Sequence, residues 1–299
     1  MNKLLFTGAS GFLGTQLKPL LQNQFEVKTM GLTNEDTYKV NLVESIPEIN
    51  EPFDVIIHAA GKAHSVPKTE VEKKVFFDVN YHGTVNLCTA LEKSGIPKSF
   101  IFISTVAVYG LEFGKDITEV HPLNGDTPYA LSKIQAEQFL TEWCARHNVI
   151  LGIIRPSLIA GPNPPGNLGA MIQGIQTGRY LSIAGGKTRK SVLMVQDIVR
   201  LLPSLIGKGG IYNVCDDSQP TFRELEILIA KQLGKKPPVS IPYWFAKSMA
   251  LAGDLLGNKA PINSLKLKKI TESLTFSNEK AKRELNWQPI NVLDNFKIG

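Results

Sequence analysis

Apolar and polar positions follow two alternating rhythms along this chain. Short runs at residues 4–6, 25–31, 53–58, 99–104 and 149–154 have the length of strands, and those at 53–58 and 99–104 are nearly continuously apolar, as strands covered on both faces are. A further short strand is expected at 40–42. Between the runs, apolar residues recur every three to four positions. Phe12, Leu13, Leu17, Leu20 and Leu21 mark one helix, and Val75, Val79, Val85, Leu87 and Leu91 mark a second over 71–93. Leu131, Ile134, Phe139, Leu140 and Trp143 mark a third over 128–147, where Thr127 suits the N-cap and Pro128 the first turn. Strand and helix alternating in this way predict an α/β fold: a doubly wound parallel sheet with right-handed crossovers.

After Pro156 the rhythm breaks. Residues 161–169, Gly-Pro-Asn-Pro-Pro-Gly-Asn-Leu-Gly, read as a loop. Shorter elements follow: a strand near 191–195, a helix from Asp197, a strand at 211–213, and a helix over 221–233 whose Thr221 and Glu224 form a capping box. The expected organisation is a nucleotide-binding domain over 1–165, with segments near 191–215 returning to it, and a smaller substrate-binding lobe over 166–299.

The first strand runs straight into Gly8, Gly11 and Gly14, and a helix follows. A turn of this kind lets the chain reverse, lets backbone approach a diphosphate, and presents the free amides of a helix N-terminus to phosphate oxygens. In such sheets ligands sit beyond the carboxyl ends of the strands. The glycine turn, Ala59 to Gly61, Ser104 with Thr105, and Arg155 with Pro156 all lie just past strand ends, so they should converge on one crevice. At the end of the second strand stand Met30, Gly31 and Leu32, with Glu35 and Asp36 only later and no arginine. The choice between NAD and NADP is therefore open at this stage.

Tyr129 and Lys133 are four residues apart on the third helix and share a face. A nearby ammonium, together with the positive charge of an oxidised nicotinamide, would stabilise the phenolate and lower a phenol pKa from its ordinary value of about 10. Tyr129 could then remove a hydroxyl proton while hydride leaves the same carbon, with Thr105 holding the same oxygen.

Taken together, these motifs resemble the extended short-chain dehydrogenase/reductases of the NAD-dependent epimerase/dehydratase family. The resemblance rests on Thr7-Gly8-Ala9-Ser10-Gly11-Phe12-Leu13-Gly14, His58-Ala59-Ala60, Asn80-Tyr81-His82-Gly83-Thr84, residues 102–110, Tyr129-Ala130-Leu131-Ser132-Lys133, Arg155-Pro156 with Gly161-Pro162, and residues 285–289. It implies a Rossmann-type fold and a catalytic set of Thr105, Tyr129 and Lys133. It implies a cofactor site from Gly8, Ser10, Gly11, Phe12, Leu13, Gly14, Asn41, Ala59, Ala60, Gly61, Asn80, Lys133, Pro156 and Ser157, occupied by NAD, with NADP open. Ser104, Asn167 and Lys190 are the candidates for the substrate, which the resemblance makes a nucleotide-sugar of the UDP type. A homodimer through the helices near 75–94 and 128–147 is also implied.

Departures from the family narrow the reaction. Sugar 4,6-dehydratases carry an Asp-Glu pair after the catalytic threonine, whereas Val106 and Ala107 stand here. Leu158 replaces a substrate asparagine, and Lys190, beside Arg189, replaces an arginine. These features point toward 4-epimerases and 4-keto-reductases of UDP-N-acetylhexosamines. A non-catalytic cofactor sensor on the same fold would usually lack the tyrosine or the lysine.

Composition adds exclusions. Three scattered cysteines and five histidines without ligand spacing predict neither a disulfide framework nor a metal site, and the expected location is cytoplasmic. The net charge of +6 comes without a basic block, so no nucleic-acid partner is expected. Residues 243–256 are the most apolar late stretch, but Lys247 and Asp254 interrupt them and they are too short to span a bilayer. Together with Lys259, Lys266, Lys268 and Lys269 they could lie on a membrane surface; the commoner outcome, a helix packed into its own core, is the expectation.

Overall fold

The computed structural model describes residues 1–63, 65–255 and 262–299. Its centre is a seven-stranded sheet of, in chain order, Lys3–Thr7, Glu26–Gly31, Tyr38–Lys39, Val55–His58, Ser99–Ile103, Ile150–Pro156 and Gly210–Val214. All neighbouring pairs are parallel. The spatial order is seventh, sixth, fifth, fourth, first, second, third. The order therefore reverses between the first and fourth strands, and the glycine turn opens at that switch point.

Alternation along the strands builds a core on each face. Leu4, Phe6, Val55, Ile57, Ile101 and Ile103 point to one side, where the helices Phe12–Gln22 and Gln196–Lys208 cover them. Leu5, Ile56, Phe100 and Phe102 point to the other, against Gly83–Ser94 and Pro128–His147. Each fully buried large side chain contributes about 1.5–3 kcal/mol, which is why a strand with both faces covered must be apolar throughout. A third core of Leu168, Ile172, Val192, Leu225 and Ile229 lies under the later part of the chain. Leu285 and Trp287 turn back and join the first face of the sheet.

Several sequence expectations are corrected. The short third strand is Tyr38–Lys39, and residues 40–42 follow it outside the ladder. The helix expected over 71–93 is Glu70–Phe77, a wider turn over Asp78–His82, and Gly83–Ser94. The wider turn rotates the face, so Phe76, Asn80 and Thr84 are buried while Val75, Val79 and Val85 are only partly so. Leu131, expected inward, is 40% exposed. The loop over 161–169 ends early, because a helix Gly166–Gln176 starts inside it. The helices Pro128–His147 and Phe222–Gln232 start where expected, with the Thr127 cap and the full Thr221/Glu224 capping box.

The late apolar stretch is also corrected. Helix Tyr243–Asp254 buries only Ala246, Ala250 and Gly253, and its large apolar residues face outward. Leu256 and Lys259, which belonged to that expectation, lie outside the described residues. Among the described residues no helix is long and apolar enough to cross a membrane.

Candidate active site

The glycines divide by what surrounds them. A Cβ on Gly8, whose φ is +78°, would lie 2.6 Å from the Ala60 amide nitrogen, and one on Gly14 would run into the Gly8 carbonyl oxygen. Both positions are fixed by packing of the turn on its neighbours. Gly11 is different: a Cβ there would meet only the Gly8 carbonyl oxygen, at an ordinary 3.5 Å. Nothing in the protein demands glycine at Gly11, and the open side is where a diphosphate would approach. Gly11 is also the N-cap of helix Phe12–Gln22 and no side chain caps it. The first-turn amides of Phe12, Leu13 and Gly14 thus lack intrahelical acceptors and face the same opening with the positive end of the helix dipole. Ser10 is exposed in the turn.

Three further residues meet beside this turn. A Cβ on Gly61 would lie 3.0 Å from Asn80 Oδ1 and 3.3 Å from Lys133 Nζ. Lys133 is 4% exposed; its ammonium donates to the Ile103 carbonyl at 2.9 Å and lies over the Phe102 ring. Burial pushes it down to about 8, with the Glu137 carboxylate acting in the opposite direction. Pro156 ends the sixth strand, and the buried Ser157 hydroxyl has no hydrogen-bond partner among the described residues. A buried hydroxyl without a partner beside a strand end is a group that an occupant of the crevice would satisfy. The open face at Gly11, the uncapped helix and the Ser157 hydroxyl fit a dinucleotide.

Tyr129 sits on the first turn of Pro128–His147, against Phe76 at 6.3 Å between ring centroids. Burial raises its pKa above the ordinary phenol value, and the adjacent Thr105 hydroxyl acts the other way by favouring the ionised form. The Lys133 ammonium, one turn along the helix, is turned to the Ile103 carbonyl. Thr105 caps the short helical turn Val106–Tyr109 by accepting from the Ala107 amide.

The remaining expected residues are placed as follows. Ser104 donates to the Glu137 carboxylate and is buried. Asn41 closes its own turn, with its amide on Glu44 and its carbonyl oxygen on the Val43 amide. Asn167 is exposed in the first turn of helix Gly166–Gln176. Lys190 is partly buried and donates to the Glu272 carbonyl at 3.0 Å; burial lowers its pKa while Glu112 and Glu272 oppose the shift.

Two buried polar networks went unnoticed in the sequence. The first runs through His58. Thr84 donates to the Asn80 carbonyl, so its oxygen is free to receive the His58 Nε2 proton at 2.9 Å. His58 Nδ1 is then the acceptor for the Thr7 hydroxyl at 2.6 Å, and the Thr7 oxygen accepts from the Ala60 amide. Asn80 continues the chain by donating to Ser132, which donates to the Tyr129 carbonyl. The glycine-turn strand and the helix bearing Tyr129 and Lys133 are thereby joined through one neutral histidine. Burial, with the Lys133 charge adding to it, pushes His58 down to about 3. Between pH 6.5 and about 3 the unfolded chain therefore holds a proton that the folded chain does not, and stability falls as pH falls through that window. From pH 7 to pH 5 a His58→Asn variant should lose about 2 kcal/mol less stability than the wild type, measured by urea unfolding. Equal losses in the two proteins would remove His58 as the source.

The second network joins Glu137 to Arg155. Their side chains are 4% and 3% exposed and meet at 2.5 Å, and a second bond from Arg155 Nε at 3.1 Å makes the pair bidentate. Arg155 also donates to the Tyr109 hydroxyl, which donates to Asn213 Oδ1 at 2.7 Å. The sequence signal for this was present: Glu137 lies four residues beyond Lys133, hence on the same helix face.

A profile of the NAD dependent epimerase/dehydratase family matches residues 4–215. The chain belongs to that family. It is 30% identical over 294 residues, 92% of this chain and 87% of the relative, to the N-acetyl-alpha-D-glucosaminyl-diphospho-ditrans,octacis-undecaprenol 4-epimerase of Escherichia coli O157:H7. It is also 30% identical over 246 residues, 76% of this chain and 79% of the relative, to the GDP-6-deoxy-D-mannose reductase of Pseudomonas aeruginosa. The UDP-glucuronic acid 4-epimerase of Bacillus cereus, solved with NAD, shares the fold at a TM-score of 0.75, covering 98% of this chain and 95% of its own at 17% identity. This epimerase/dehydratase-family protein is thus an enzyme that depends on a nicotinamide dinucleotide, and the crevice at Gly8, Gly11, Gly14, Gly61, Asn80 and Lys133 could hold it.

Proposed function

We propose that this enzyme inverts C4 of a UDP-linked hexose or N-acetylhexosamine, with NAD held in place between turnovers. The observation that carries the reading is that the Thr105 hydroxyl, just past the fifth strand, bonds to Tyr129, while Lys133, one turn along the same helix, reaches the Ile103 carbonyl and Gly61 beside the glycine turn. When bound, the dinucleotide takes up hydride from the sugar carbon and returns it. Tyr129 moves the proton of the C4 hydroxyl at its phenolic oxygen, and Thr105 holds the same sugar oxygen by its hydroxyl. Lys133 supplies positive charge from a site closed to water. Val106 and Ala107, where dehydratases carry two acids, offer no group to expel a hydroxyl.

The choice of NAD is supported by Asp36. Its Oδ2 lies 2.7 Å from where a Cβ on Gly31 would be, so the carboxylate covers the end of the second strand. Thr33 holds it there through its amide and hydroxyl. A carboxylate at that strand end suits a ribose 2′-hydroxyl and repels a 2′-phosphate. Asp36 comes five residues after the strand end, too late for sequence spacing to select it, and the turn at Thr33 brings it back.

A 4-keto-reductase is the second reading, favoured by the likeness to the Pseudomonas reductase. It would use the same residues for the return half-reaction alone. The test is to denature the purified enzyme, identify any released dinucleotide, and follow UDP-N-acetylglucosamine by NMR. NAD released in near-equal amount to protein, with appearance of the 4-epimer, is the expected result. An empty protein that consumes NADH or NADPH with a 4-keto sugar would replace the epimerase by the reductase.

A further inference from the structure

Helix Tyr243–Asp254 is built inside out. The residues it buries are the small ones, Ala246, Ala250 and Gly253, at spacings of four and three that make one stripe. Trp244, Leu251 and Leu255 are spaced seven and four apart and form a row on the opposite side, at 68%, 56% and 90% exposure. Tyr243, Phe245 and Met249 flank that row and are also exposed. Single exposed apolar side chains need no explanation, but a contiguous set of this size marks a contact surface.

The charge on and next to this helix is mostly basic. Lys247 stands on the helix itself, Lys268 and Lys269 on helix Ser264–Thr271, which packs through Leu267 against Ala246 and Ala250, and Lys235 and Lys236 precede Tyr243–Asp254 in the chain, all exposed. The acids on the two helices and their ends are Asp254, which accepts from Ser264, and Glu272; Glu112 pairs with Lys269 from outside at 2.9 Å. Leu265 on the second helix adds another exposed apolar side chain, at 59%.

We propose that this face docks on an anionic lipid bilayer, with Trp244, Leu251 and Leu255 entering the interface and the lysines meeting the headgroups. Tryptophan and tyrosine favour that boundary because each has an apolar body and a polar edge, and lysines beside an apolar row add attraction to anionic lipid. A second copy of this chain is a poorer occupant, since it would bring the same lysines against themselves. The proposal is independent of the sugar and of the direction of the reaction.

The full chain is tested with vesicles of phosphatidylcholine alone and of phosphatidylcholine mixed with phosphatidylglycerol. Trp143 and Trp287 are 2% and 4% exposed, so a shift of tryptophan emission to shorter wavelength reports Trp244. The expected result is that shift, and co-sedimentation, with the phosphatidylglycerol vesicles only, weakening as salt shortens the screening length from about 10 Å to about 3 Å. The double variant Trp244→Ser with Leu251→Ser should bind about tenfold more weakly. Its circular dichroism and dinucleotide binding should match the wild type. A wild type that stays in solution with unshifted emission overturns the proposal. So does a double variant that binds as well as the wild type, or a wild-type dimer that the double substitution dissociates.

Discussion

Replacing Tyr129 by phenylalanine should lower kcat about 10²–10⁴-fold, the range expected when a positioned proton-transfer group is removed. Dinucleotide binding should stay near the wild-type level. The substitution deletes one oxygen and keeps the ring that packs against Phe76. The size of the effect follows from what else is present. Burial raises the phenol pKa, and the Thr105 hydroxyl beside it favours the ionised form without being able to replace it as a proton carrier. Lys133 is engaged with the Ile103 carbonyl and is confined to the cofactor side. Turnover at the wild-type rate in Tyr129→Phe, measured by NMR of the sugar product, would sink the proposed chemistry.

The second large effect is structural and lies about two turns further along the same helix. Glu137→Ala should destabilise the enzyme by about 3–5 kcal/mol, because it leaves a buried guanidinium without its counter-charge. In thermal unfolding that corresponds to a fall of about 10 °C in Tm. Burial draws the Arg155 pKa down, yet the bonds and charge of Glu137 and the Tyr109 hydroxyl hold it above its ordinary value. A guanidinium does not give up its proton in a protein, so Arg155 keeps its charge when Glu137 is removed and the cost cannot be escaped that way. The Ser104 hydroxyl loses its acceptor in the same step. Pairing Glu137→Leu with Arg155→Leu should recover part of the loss, since both charges then leave together. A Tm for Glu137→Ala within a degree or two of the wild type would show that water or another acid reaches Arg155. The pair also ties the helix bearing Tyr129 and Lys133 to the strand end bearing Pro156, so activity should fall with stability.

The division between what the sequence reveals and what it hides follows range. Alternating apolar runs, the three glycines, the Thr127 cap with Pro128, and the Thr221/Glu224 box are local patterns. Each is decided by backbone and side-chain chemistry within a few residues, and each led directly to an observed element. The doubly wound order follows from those elements because right-handed crossovers leave few alternatives. The four-residue spacing of Tyr129 and Lys133 is local in the same sense.

What needed the tertiary structure depends on partners far away in the chain. The wider turn at Asp78–His82 shifted the buried face to Phe76, Asn80 and Thr84, a rotation that helical periodicity does not encode. Thr7, His58 and Thr84 are separated by 51 and 26 residues, and each looks ordinary until the others arrive. Asp36 reaches the second strand only because Thr33 folds it back. The raised pKa of Tyr129 in the protein alone comes from burial, a property of the whole fold. Helix Tyr243–Asp254 shows the limit most plainly. Its sequence marks it as apolar, but which side is covered depends on the neighbours, and they accept only the narrow stripe of Ala246, Ala250 and Gly253. Local chemistry thus determined the elements of this enzyme and the candidates for its reacting residues, while long-range packing decided the charges, the tautomer and the face left open.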